Sequence, residues 1–210
     1  MAFKRLFLAA LVVVGALASS AGTSMAAPVQ VVGFGDSLMA GYGLAPGEGF
    51  PEKLQAALRA KGHDIVIANA GVSGDTTSGG LSRLDWSVPE GTEIVILELG
   101  ANDMLRGVDP KIAEKNLDAM IGNLQARGIT VLLAGMRAAP NLGPDYVAAF
   151  DGLFPRLAQK YGLTLYPFFL DGVAADKTLS QPDGMHPTAA GIDRMVERFL
   201  PTMEKLLAAR

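Results

Sequence analysis

The sequence predicts a three-layer α/β domain built on a parallel β-sheet, and three observations carry that prediction. Five short runs rich in Val, Ile and Leu recur along the chain without strict alternation, the pattern of strands covered on both faces. Segments with helical periodicity lie between them, so the alternation is strand, helix, strand, as right-handed crossover units require. Half of the 210 residues are hydrophobic, enough for one domain with a large core.

The predicted strands are Val29 to Phe34, Asp64 to Ala68, Ile94 to Leu99, Thr130 to Ala134 and Leu163 to Tyr166. Between the first two, Phe50, Leu54, Ala57 and Leu58 share one helical face over Phe50 to Ala60; Pro51 suits the first turn and Gly62 lies just past the end. The segment after the second strand, Asn69 to Thr76, reads as a glycine-containing loop. The next marked helix opens at Asp109 and Pro110, carries Ala113, Leu117, Met120, Ile121 and Leu124 as its stripe, and closes at Gly128. Pro144 to Tyr161 is expected to break near Gly152 and Pro155. The last helix starts about Thr188, buries Ile192, Met195, Val196, Phe199, Met203 and Leu206, and is expected to kink or split at Pro201.

Residues 1–26 stand apart. Lys4 and Arg5 precede the 13-residue apolar run Leu6 to Ala18, and small residues lead to Ser24-Met25-Ala26. This is the pattern of a secretory leader cleaved after Ala26, and the run is shorter than the roughly 20 residues a membrane span needs. The expected residence is therefore periplasmic or secreted, without a stable membrane anchor. The chain has no Cys, so neither a disulfide nor a lipid-modified cysteine is available. Loss of Lys4 and Arg5 leaves 16 basic against 21 acidic residues, a formal −5 with no basic cluster, which argues against nucleic acid as a partner.

In open α/β sheets ligands sit beyond the carboxyl ends of the strands. Here the first strand ends in Gly35-Asp36-Ser37, the second in Asn69-Ala70-Gly71-Val72-Ser73-Gly74, and the third in Gly100-Ala101-Asn102-Asp103. Each segment alone reads as an ordinary turn. Together they place a hydroxyl among hydrogen-bond donors: Ser37 as nucleophile, with Ser37 N–H, Gly74 N–H and the Asn102 amide around a developing oxyanion.

A serine needs a base, and the chain has two histidines. His63 falls at a helix-to-strand junction, opposite the strand carboxyl ends, and reads as a surface residue. His186 follows Asp183 by three residues in Gln181-Pro182-Asp183-Gly184-Met185-His186-Pro187, a spacing that lets the carboxylate fold back and fix the imidazole tautomer. Two separated histidines and no cysteine make a dedicated transition-metal site improbable, and no cofactor is implied. Leu38 stands where a dinucleotide fingerprint needs a third glycine, and Met39 departs from a G-x-S-x-G elbow.

Gly35-Asp36-Ser37-Leu38, Gly74 within Val72-Ser73-Gly74-Asp75-Thr76, Gly100-Ala101-Asn102-Asp103 and Asp183-Gly184-Met185-His186-Pro187 resemble the four ordered blocks of the SGNH (GDSL) hydrolases. Leu97 to Asp103 and Ala134 to Asn141 are similar to the branch of exported arylesterases, acyl-CoA thioesterase I and lysophospholipase L1. The resemblance covers almost everything after Ala26. It implies a flavodoxin-like sheet of order 2-1-3-4-5, and a Ser37, His186, Asp183 triad acting on small-molecule carboxylic esters. The same machinery would remove acetate from a glycan, and a non-catalytic acyl- or sugar-binding protein is the rival from another class. Met39, Met104, Leu105, Leu142 and Met185 lie on segments expected to rim an apolar acyl pocket. Oligomeric state is not legible.

Overall fold

The computed structural model describes residues 27–210; the expected leader lies outside the described residues. Five parallel strands form one sheet in the order β2-β1-β3-β4-β5: β1 Val29–Gly35, β2 Ile65–Gly71, β3 Ile94–Glu98, β4 Thr130–Ala134 and β5 Thr164–Tyr166. The order expected from the resemblance is the one observed. β1, β3 and β4 are almost wholly buried, which is why they read as continuous apolar runs. β2 runs three residues past the predicted Ala68. Its last residues have no apolar pattern, but Asn69, Ala70 and Gly71 stay in register with Gly33, Phe34 and Gly35 of β1.

Seven helices complete the layers among the described residues: α1 Ser37–Ala40, α2 Phe50–Ala60, α3 Thr77–Ser87, α4 Ala101–Leu105, α5 Pro110–Ala126, α6 Pro144–Tyr161 and α7 Ala189–Ala208. α2 packs on α7 at one face of the sheet; α3, α5 and α6 pack side by side at the other. Phe50 of α2 meets Phe169 edge-on at 4.7 Å and Phe199 of α7 at 5.1 Å, and all three rings are buried. Full burial of an aromatic or branched side chain contributes about 1.5–3 kcal/mol, so this cluster fixes α2 against α7.

Two helices differ from expectation in continuity. α6 passes through Gly152 and Pro155, and α7 through Pro201, without interruption. Both prolines lie on the exposed side, where water can take the carbonyl that loses its helical partner. A third departure is α3, where a loop ending at Thr76 was followed by no predicted helix. Its buried side is Thr77, Gly80, Arg83 and Leu84, too polar to announce an apolar stripe.

The chain leaves β1 toward β2 on one side while β3 lies on the other, so the strand order reverses at β1. Gly35 is level with Gly71 of β2 and Glu98 of β3. The three segments singled out in the sequence therefore emerge together, at the same height.

Candidate active site

α1 begins where β1 stops. Asp36 caps it, its Oδ1 accepting from the Leu38 N–H at 3.0 Å, and Gly41 ends it in the left-handed conformation. Ser37 thus occupies the first helical position at a strand end, a rigid mounting. Gly35 is obligatory by space: a β-carbon there would overlap the Glu98 backbone carbonyl and carboxylate.

His186 comes from the long segment between β5 and α7. Ser180 and Pro187 form an isolated antiparallel bridge, the Gln181 N–H donates to the His186 carbonyl at 2.7 Å, and the enclosed residues make a tight turn. The Gln181 side chain donates to the Tyr42 carbonyl at 2.7 Å and to the Pro187 carbonyl at 2.9 Å, tying this turn to the loop after α1. The Tyr42 ring lies 4.6 Å from the imidazole, centre to centre.

Ser37 Oγ and His186 Nε2 are 2.9 Å apart, and His186 Nδ1 and Asp183 Oδ2 are 2.6 Å apart. The other oxygen of Asp183 accepts from the backbone N–H groups of His186 at 3.0 Å and Met185 at 2.9 Å. The His186 backbone N–H, then its ring, then the Met185 N–H hold the Asp183 carboxyl down at about 2. It is therefore ionised wherever the imidazole is in use.

Ser37, Gly74 and Asn102 line one cleft with His186. The N–H groups of Ser37 and Gly74 have no backbone partner among the described residues. Asn102 Nδ2 donates to Asp36 Oδ2 at 3.0 Å, which uses one of its two hydrogens. Thr77 at the start of α3 holds Asp103 through its N–H at 2.8 Å and its hydroxyl at 2.6 Å, so the loops bearing Gly74 and Asn102 are bound to each other.

Beneath the cleft lie buried residues that sequence reasoning did not select. Arg83 donates to Asp75 at 2.7 Å and to the Ala70 and Gly35 carbonyls at 2.8 Å each, and lies 4.0 Å from the Phe34 ring centre. One guanidinium thereby joins the ends of β1 and β2 to the Gly74 loop. Glu98 Oε2 accepts from the Asp36 N–H at 3.2 Å, while Oε1 has no partner. Burial pushes the Asp36 carboxyl up to about 6 and Glu98 well above its ordinary value, with Asp36 adding to the latter. Arg83 carries no local signal: its helix face also bears Thr77 and Gly80, and two of its acceptors, the Ala70 and Gly35 carbonyls, lie on β2 and β1. Nothing local marks Glu98 as different from any strand-end acid.

The cleft holds about 420 Å³, within the usual range for small-molecule sites, and is largely apolar. Met104, Leu105 and Met185 line it. Met39 and Leu142 stand outside it, against the rim position expected for them. Met39 points down, buried with its sulfur close to Gly33 of β1, because a four-residue helix turns that side chain toward the core. Leu142 packs half-buried on the core from a single 3₁₀ turn, Pro140–Leu142. His63 is at the opposite end of the sheet, 3.7 Å from Glu204.

A 2-1-3-4-5 parallel sheet with serine, histidine and aspartate joined across the carboxyl end of its first strand defines a class of hydrolases. The chain belongs to the GDSL-like lipase/acylhydrolase family, whose model matches residues 34–194. It is 39% identical to esterase TesA of Pseudomonas aeruginosa, over 94% of this chain and 99% of that protein. It is 35% identical to thioesterase 1/protease 1/lysophospholipase L1 of Escherichia coli K12, over 73% of each chain. Among solved structures, the SGNH-hydrolase family esterase AlinE4 superposes with a TM-score of 0.74 at 48% identity, covering 88% of this chain and 99% of that one.

Proposed function

We propose that this protein is an exported serine esterase that cleaves carboxylic esters with aryl or short-to-medium acyl groups through an acyl-enzyme. The observation that carries the reading is the continuous line from Ser37 Oγ through His186 to Asp183, at 2.9 and 2.6 Å. Ser37 Oγ attacks the ester carbonyl carbon while His186 Nε2 takes its proton. The carbonyl oxygen becomes negative and is met by Ser37 N–H, Gly74 N–H and the second hydrogen of the Asn102 amide. Collapse expels the alcohol, which leaves with the proton from Nε2. Water then repeats the sequence on the acyl-serine, releasing the acid and restoring Ser37. Asp183 holds the proton on Nδ1 throughout and stabilises the imidazolium, without itself taking a proton.

The apolar lining favours an acyl chain over the acetate of a polar sugar. The name of the Escherichia coli relative also makes thioesters and lysophospholipids candidates. The leader-like residues 1–26 support export; finding the periplasmic protein to begin at Ala27 would establish it, and an intact Met1 would refute it. The decisive assay is hydrolysis of p-nitrophenyl acetate and butyrate by the mature chain. Turnover should fall at least about 10⁴-fold in Ser37→Ala, since what survives loss of a nucleophile is binding and oxyanion stabilisation alone. Absence of turnover by the mature chain, or turnover that Ser37→Ala leaves unchanged, would favour a binding protein. A chain-length series beside lysophospholipid and acetylated xylan then fixes the substrate class.

A further inference from the structure

The mechanism above leaves one buried acid beside the nucleophile unused. Asp36 is fully buried, and two donors face it: the Leu38 N–H on Oδ1 and the Asn102 amide on Oδ2, each at 3.0 Å. Its own N–H is anchored on Glu98. Only an acceptor at both positions satisfies these neighbours, which a carboxylate provides and an amide does not. The carboxamide of Asn102 is planar, so fixing one amide hydrogen on Asp36 fixes the direction of the other. Asn102 sits in the first turn of α4, and the bond to Asp36 is the one hydrogen bond its side chain makes among the described residues.

We infer that Asp36 is a positioning residue for the oxyanion site: it aims the Asn102 amide at the carbonyl oxygen, in addition to capping the helix that carries Ser37. The inference rests on Asn102 acting as an oxyanion donor. Preorganised donors act without reorganisation at the moment of reaction, so an amide left free to rotate loses part of its effect even though it is still present.

A double-mutant cycle separates the two roles. Asp36→Ser keeps a hydroxyl acceptor for the Leu38 N–H, since serine is a good helix cap, but removes the oxygen that reaches Asn102. With p-nitrophenyl butyrate, kcat should fall about 10- to 100-fold in Asp36→Ser, part of the 10²- to 10³-fold expected for Asn102→Ala, with KM within about twofold. In the double variant the Asp36→Ser effect should vanish, leaving the rate of Asn102→Ala. Inhibition by a butyl trifluoromethyl ketone, whose adduct carries the oxyanion, should weaken in parallel, while inhibition by butyrate stays unchanged. Thermal melting is recorded for each variant, and Asp36→Asn replaces Asp36→Ser in the cycle if the latter does not fold. Fully additive losses, or a fall in KM and melting temperature without loss of kcat, would overturn the inference while leaving the esterase reading intact. A normal kcat in Asn102→Ala, with Ser37→Ala dead, would overturn it together with the assignment of Asn102.

Discussion

Two regions around Ser37 hold carboxyl groups, and the fold treats them in opposite ways. On the turn before α7, Asp183 is exposed and receives two backbone N–H groups and an imidazole, so its negative charge is favoured. Under β1, Asp36 and Glu98 are sealed from solvent and lie against each other, so burial works against ionisation of both. The exposed acid keeps its charge against the His186 ring. The buried pair holds the frame on which donors are mounted. Charge state in this protein follows from the number of donors and from access to water, and the residue type alone does not reveal it.

The largest effect that tests this contrast is on Asp183. In Asp183→Asn the side-chain oxygen remains matched to the backbone N–H groups of Met185 and His186, so the amide nitrogen must face Nδ1. That arrangement selects the tautomer with its hydrogen on Nε2, which cannot accept the serine proton. kcat for p-nitrophenyl butyrate should drop about 10⁴-fold with little change in melting temperature, because the group is on the surface. A modest loss of rate would mean that the two acid regions do not differ as the geometry indicates.

A smaller effect should appear at Glu98 and depend on pH. Its carboxyl titrates higher folded than unfolded, so the folded state keeps a proton that the unfolded chain releases above the ordinary glutamate range. The stability this contributes is complete below about pH 4.3, the unfolded value, and is lost as pH climbs through the folded one. Glu98→Gln removes the titration and keeps an acceptor for the Asp36 N–H. Its melting temperature should exceed the wild type's by about 2–6 °C at pH 8, with the gap closing toward pH 5. A gap that widens on acidification would reverse the assignment.

The smallest effect is expected far from both regions. His63 lies 3.7 Å from Glu204 and is partly exposed, so His63→Ala should leave turnover within about twofold and stability within about 0.5 kcal/mol. Loss of activity there would displace His186 as the base.

Much of this was legible along the chain. Strand ends showed as apolar runs giving way to small polar residues, and Asp183 lies three positions from His186, close enough for spacing alone to suggest their bond. Arg83 was not legible: its acceptors include the Gly35 carbonyl, 48 residues away, and a helix face bearing an arginine reads as solvated until that partner is known. Nor was the rim. Met39 and Leu105 look equivalent as apolar residues near catalytic segments, yet one is buried under β1 and the other is 58% exposed in the cleft.

The sequence by itself determined the alternation of strands and helices, the segments that end each strand, and the pairing of Asp183 with His186, because those depend on neighbours within a few residues. Only the tertiary structure decided which acids are buried, where the Asn102 amide is held, and that Pro155 and Pro201 do not stop their helices. Those outcomes rest on solvent exposure and on contacts between residues 62 to 149 positions apart, such as Asp36 with Glu98 and Ser37 with His186. Desolvation and hydrogen-bond geometry exist only once the chain has closed on itself.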